Sequence, residues 1–142
     1  MRKLTIFILL AVFVLGAAAC SGVNVSSAEI PAEEQEYEPI SAEEAIELIG
    51  QENVHLIDVR NPEELVDDGY IEGMVNIRIN DLNAEIEQEV PDKEDVIILY
   101  CASGNRSAKS ARILCNAGYR NVYDLGGLNS WPYDIQIDSV EN

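Results

Sequence analysis

The sequence predicts an α/β domain on a mostly parallel sheet of about five strands, with helices on both faces. Two observations carry this. The run at 96–100 is apolar at consecutive positions, as in a strand buried on both sides, and the compact run at 54–58 carries Val54, Leu56 and Ile57. Segments with helical spacing and their own start and stop residues stand between the strands, so the two element types alternate along the chain. In order, residues 37–40 read as a short strand. Ser41-Ala42-Glu43-Glu44 matches a capping box, and Ala45, Ile46, Leu48 and Ile49 follow at helical spacing. Strand 54–58 is followed by Pro62, which suits a first helical turn, and that helix runs to Asp68 before Gly69 stops it. Residues 74–79 read as a strand. Residues 81–90 form an amphipathic helix with Leu82, Ile86 and Val90 on one stripe, stopped by Pro91. Strand 96–100 leads to a helix over 107–117 that ends at Gly118. Residues 122–125 are the last strand, and Gly126-Gly127 turns the chain into a short helix toward Trp131.

The chain has 142 residues, with 26 Asp and Glu against 9 Lys and Arg, for a formal net charge of -17. That length supports one core. The charge excludes a nucleic-acid partner, which needs a basic face, and attraction to an anionic membrane surface. Hydrophobic residues make up 47%, so the chain as a whole is not a disordered acidic segment.

Arg2 and Lys3 precede an uncharged apolar run that ends in Ala17-Ala18-Ala19, the shape of a secretory signal peptide over residues 1–19. Cys20 follows at once, and this junction resembles the lipobox of bacterial lipoproteins, with Ala17 where Leu is usual. The resemblance implies a lipidated Cys20 and a protein anchored by it to the membrane in the cell envelope. An uncleaved anchor running to Val25, and simple cleavage leaving Cys20 free, are the alternatives. Residues 20–36 are small, polar and acidic and read as a flexible tether able to reach roughly 60 Å. The folded domain is placed at residues 37–133, and the acidic tail, residues 134–142, is expected to fray.

The chemistry is expected just past the 96–100 strand, where open α/β sheets bind ligands. Cys101-Ala102-Ser103-Gly104-Asn105-Arg106-Ser107 stands there. A Gly-containing loop that leads into a helix can curl its N–H groups into an anion nest, and the helix end adds partial positive charge. Arg106 adds a full charge. All three favour the Cys101 thiolate, the nucleophilic form. Arg106, Lys109 and Arg112 together read as a small cationic spot behind it. No His is needed as base, and the only one, His55, opens a different strand and reads as structural.

Three stretches resemble a single-domain rhodanese, a sulfurtransferase. They are Leu56-Ile57-Asp58-Val59-Arg60-Asn61-Pro62-Glu63-Glu64, Gly69-Tyr70-Ile71-Glu72-Gly73-Met74-Val75-Asn76-Ile77, and Tyr100 to Ser107 with Gly118-Tyr119, Leu125-Gly126-Gly127 and Trp131. The resemblance implies the rhodanese-like fold and a persulfide mechanism. Cys101 takes the outer sulfur of a small anionic donor of thiosulfate or polysulfide type. A thiol, a protein thiol or a cyanide-like acceptor then removes it. Residues 102–107 (Ala102, Ser103, Gly104, Asn105, Arg106, Ser107) line the substrate, and neither a cofactor nor a metal is implied. Ala102 stands where thiosulfate-using members often carry Arg.

Two further readings are open. One is a rhodanese-like module that carries sulfur or docks a partner without turnover. The other is a phosphatase or arsenate reductase, whose loops place five residues between Cys and Arg where this chain has four. Asp58 and Arg60 read as supporting residues, a structural ion pair in which Arg60 braces Glu64 or another nearby carboxylate. Trp131 reads as a core lid. Cys115 lies about nine residues, or roughly 13 Å, along the helix from Arg106. It is expected to be a buried apolar residue, too far from Cys101 for a disulfide.

Overall fold

The computed structural model describes residues 36–137. The expected signal peptide, Cys20 and most of the tether lie outside the described residues, as does the end of the tail. Five strands are present: β1 Glu38–Pro39, β2 Val54–Asp58, β3 Val75–Asn76, β4 Val96–Cys101 and β5 Asn121–Gly127. They form one parallel sheet in the order β1-β5-β4-β2-β3. The helices are α1 Ala42–Leu48, α2 Pro62–Asp68, α3 Leu82–Glu89 and α4 Asn105–Asn116, with a single 3-10 turn, Leu128–Ser130, after β5. No helix among the described residues is long and apolar enough to cross a membrane.

The central strand β4 sorts its side chains by the period of two. Ile97, Leu99 and Cys101 enter a core with Ile57 and Val59 of the β2 region, Leu82 and Ile86 of α3, and Ala111 and Leu114 of α4. Ile98 and Tyr100 enter the opposite core with Leu56, Ile71 and Ala45 of α1. A one-residue slip would exchange the two sets and lose about 1.5–3 kcal/mol for each large side chain exposed. The same parity places the Cys101 side chain on the α4 side of the sheet.

Local chemistry sets the helix starts. Ser41 Oγ accepts from the Glu44 N–H at 3.2 Å, and Glu44 Oε2 accepts from the Ser41 N–H at 3.1 Å, the reciprocal cap expected from the sequence. Pro62 opens α2, where a missing N–H costs nothing. His55 is structural, with Nε2 2.9 Å from Asp95 Oδ2.

Several boundaries differ from the sequence reading. Both edge strands, β1 and β3, are two residues long. β3 ends where Asn76 turns its amide onto the carbonyls of Asp58 and Arg60, at 2.8 and 3.0 Å. α4 begins at Asn105, two residues before the expected start. β5 runs through Gly126 and Gly127 instead of turning there. The tail is docked through Gln136, which exchanges backbone hydrogen bonds of 2.8 and 2.7 Å with Tyr70. Pairing of that kind uses main-chain groups and leaves no signature in an acidic sequence.

Candidate active site

Cys101 is the last residue of β4 and is 1% exposed. Gly104 caps α4 in the left-handed region, φ 94° and ψ -19°, where a side chain is strained. This turn aims its N–H at Cys101 Sγ, 3.1 Å away. The first turn of a helix has no internal partners for its N–H groups. Burial works against the Cys101 thiolate, but hydrogen bonds from the N–H groups of Ser107, Ser103, Gly104 and Arg106 outweigh it. The thiol is held below its ordinary value of 9.0.

The loop is braced from inside and from β5. Ser107 is fully buried, and its hydroxyl lies 2.9 Å from Gly104 O and 3.2 Å from Gly126 O. Its side chain therefore braces the loop and also accepts from Cys101 Sγ at 3.8 Å, while its N–H supports the thiolate. A bulge adds Leu125 to β5, so that Gly126 and Gly127 pair with Tyr100 and Cys101. A Cβ on Gly127 would stand 2.7 Å from Ala102 O and 2.8 Å from Ser103 Cα. The loop thus lies directly on a glycine of the neighbouring strand. Ser103 and Asn105 are exposed, and Ala102 is half-buried.

Arg106 does not bring an unopposed charge to the thiolate, as expected from the sequence. Its Nη1 and Nη2 donate to Glu64 Oε2 and Oε1 at 2.6 and 2.7 Å. This pair holds the Glu64 carboxyl at about 2, below its ordinary 4.5. It also raises Arg106, with a smaller contribution from Cys101. The cationic spot is dispersed as well. Arg112 lies over the Tyr37 ring at 5.5 Å, and Lys109 is exposed.

Asp58 and Arg60 form the structural pair the sequence suggested, with Asp58 itself as the carboxylate. Arg60 Nε donates to Asp58 Oδ1 and Oδ2 at 3.1 and 3.0 Å, and Nη2 to Oδ2 at 2.7 Å. Arg60 Nη2 also donates to Gly69 O at 2.7 Å, and both side chains are fully buried. The guanidinium lies 5.9 Å from the centre of the Tyr100 ring, and the Tyr100 hydroxyl accepts from the Ile71 N–H at 3.1 Å. Burial first, and then Asp58, push the Tyr100 hydroxyl up. This buried polar knot stands one residue before the nucleophile, on the other face of the sheet.

Trp131 is half-buried and packs against the Tyr100 core, where it borders a cavity of about 160 Å³ with Ile71, Leu125 and Ser130. It is a lid on that core. Cys115 is buried and unpaired, like Cys101, and burial raises its thiol. Among the described residues no group of three or more His, Cys, Asp or Glu could hold a metal ion.

The residues that sequence reasoning missed are Glu64 as the partner of Arg106 and Gly127 as the seat of the loop. The only sequence signal for the first was a carboxylate at the third position of a Pro-opened helix.

A family model for the rhodanese-like domain matches residues 41–133. The thiosulfate sulfurtransferase PspE of Escherichia coli (strain K12) is 38% identical over 87 residues, 61% of this chain and 79% of that protein. A rhodanese-related protein from Thermoplasma volcanium superposes with a TM-score of 0.60 at 30% identity, covering 72% of this chain and 100% of that one. A Rhodopseudomonas palustris protein of unknown function, described as a possible tyrosine phosphatase, gives a TM-score of 0.61 at 28% identity, covering 70% and 85%. With the matched segment running from the α1 cap past the Cys101 loop to Tyr133, the chain belongs to the rhodanese-like sulfurtransferase family.

Proposed function

We propose that the protein is an exported sulfurtransferase that moves a sulfane sulfur through a persulfide on Cys101. The observation that carries this is the Gly104 N–H, 3.1 Å from Cys101 Sγ, at the open N-terminal turn of α4. A Cys101 thiolate attacks the outer sulfur of a small anionic donor. One S–S bond forms, the donor's bond to that sulfur breaks, and the leaving group departs with the electron pair. With thiosulfate the leaving group is sulfite, and with a polysulfide it is the shortened polysulfide. The terminal sulfur of Cys101–S–S⁻ carries the charge the thiolate had, and the same N–H donors stabilise it. A thiol, a protein thiol or a cyanide-like acceptor then attacks the outer sulfur and restores the thiolate. Asp58 and Arg60 support the loop from beneath.

Export and anchoring rest on residues 1–20. On this reading the domain stands in the cell envelope, held to the membrane by a lipidated Cys20 and an acidic tether. The four residues between Cys101 and Arg106 favour a single sulfur over a whole phosphate or arsenate group.

The test is intact mass after incubation with thiosulfate or polysulfide. Wild type gains one sulfur and Cys101→Ser gains none; equal labelling of both removes the reading. Turnover of many equivalents of donor with cyanide separates an enzyme from a carrier that is loaded once.

A further inference from the structure

The one cation of the Cys101 loop is already engaged. Between Cys101 and Ser107, Arg106 is the only Lys or Arg. Both arms of its guanidinium bind Glu64, and Glu64 Oε2 is steadied by the Asn61 N–H at 3.1 Å. Other cations are committed too. Among the described residues Arg60 pairs with Asp58, Arg78 with Asp81, Lys93 with Glu87 and Arg120 with Glu94.

Donors differ in what they ask of such a site. Thiosulfate carries three oxygens beyond the sulfur it gives up, and its leaving sulfite keeps two charges. Holding that end calls for forked donors, which a guanidinium supplies and backbone N–H groups around one sulfur do not. A polysulfide or an organic persulfide has no oxyanion end, and its leaving group is a sulfur anion that needs no fork.

We infer that Glu64 is a specificity residue: by occupying the fork of Arg106 it denies the oxyanion end of thiosulfate a partner and selects polysulfide or persulfide donors. The inference rests on the sulfur-transfer reading of Cys101. The favoured step balances without an oxidant. The Cys101 thiolate attacks the terminal sulfur of R–S–SH, a new S–S bond forms to give Cys101–S–SH, the S–S bond of the donor breaks, and R–S⁻ leaves with the pair. The proton stays on the transferred sulfur. Glu64 acts through Arg106 and is a positioning residue.

The test uses Glu64→Gln, whose amide oxygen still accepts from Asn61 while its charge is gone. The full chain is loaded with thiosulfate and, separately, with inorganic polysulfide, and sulfur gain at Cys101 is timed in wild type, E64Q and E64Q/R106Q. E64Q raises the thiosulfate rate relative to polysulfide by about tenfold, the scale of one charge-assisted interaction. The gain disappears in E64Q/R106Q. An unchanged ratio, or a gain that survives loss of Arg106, overturns the inference. A second arm needs no sulfur transfer. Inorganic sulfate slows iodoacetamide alkylation of Cys101 in E64Q and leaves wild type unaffected, whereas equal protection in both overturns the inference. If no variant takes sulfur from either donor, the sulfur-transfer reading fails, and the sulfate arm alone decides whether Glu64 withholds Arg106.

Discussion

Glu64 and Arg106, 42 residues apart in sequence, form a two-armed ion pair of 2.6 and 2.7 Å that ties the start of α2 to the start of α4. Each side chain is about a third exposed, at 29% and 32%, so the pair sits at the rim and water screens it. Its main consequence is electrostatic. The guanidinium charge next to the nucleophile is answered by a carboxylate, which leaves the backbone N–H groups as the chief support of the thiolate.

This division of labour makes the Cys101 titration a direct probe. The rate of iodoacetamide alkylation, followed on the Cys101 peptide, rises with pH through an inflection below 9.0, because the folded thiol is held below that value. Cys115 is buried with its thiol raised and stays unmodified over the same range. Arg106→Gln moves the Cys101 inflection upward only slightly. A large rise in R106Q would mean that the guanidinium, rather than the nest, sustains the thiolate.

Gly127 tests the nest from the other side. A methyl group there would overlap Ala102 O and Ser103 Cα, both under 3.0 Å, and both are backbone atoms that cannot rotate away. Gly127→Ala therefore displaces the loop and raises the Cys101 inflection toward 9.0. Overpacking of this kind costs about 1–3 kcal/mol. Urea unfolding gives the stability loss and alkylation gives the loop. An unaltered inflection in a folded variant would show that the loop does not depend on β5.

How much of this was legible in the sequence follows from the range of each interaction. β2 and α2 match their expected bounds residue for residue, since a short apolar run, a Pro and a Gly are local signals. Cys101 was found because its strand is apolar throughout and its loop is contiguous. Sheet order, the bulge at Leu125 and the docking of Gln136 on Tyr70 depend on main-chain pairing between distant segments, which side-chain patterns do not record. Arg106 was assigned to the thiolate alone because Glu64 precedes it by 42 residues. With several acids in the same region, composition could not choose among them.

The Asp58–Arg60 pair is expected to matter for stability more than for chemistry. Both side chains are fully buried, and Asp58 Oδ1 also accepts from the Arg60 N–H at 2.9 Å. Arg60→Met leaves a buried carboxylate without its cation, and breaking such a pair costs about 3–5 kcal/mol. Asp58→Leu combined with Arg60→Met restores part of that loss, because the uncompensated charge is gone. Urea midpoints of the two variants check this. A double variant less stable than Arg60→Met would show that the remaining backbone groups, not the charge, dominate.

Acid pH isolates the Glu64–Arg106 pair. The Glu64 carboxyl sits at about 2 in the folded protein against 4.5 for the ordinary group, chiefly through the hydrogen bonds from Arg106. A carboxyl lowered on folding adds stability that is fully present above 4.5. That stability falls away as the pH drops through about 2, where folded and unfolded chains bind the proton alike. Wild type is therefore more stable than Glu64→Gln at neutral pH by a constant margin, modest because the pair is partly exposed. The margin shrinks between 4.5 and about 2 and vanishes below. Urea unfolding of both proteins across that range measures it. A margin that holds steady down to the acid limit would assign the Glu64 contribution to packing or to the Asn61 cap, both of which glutamine largely keeps.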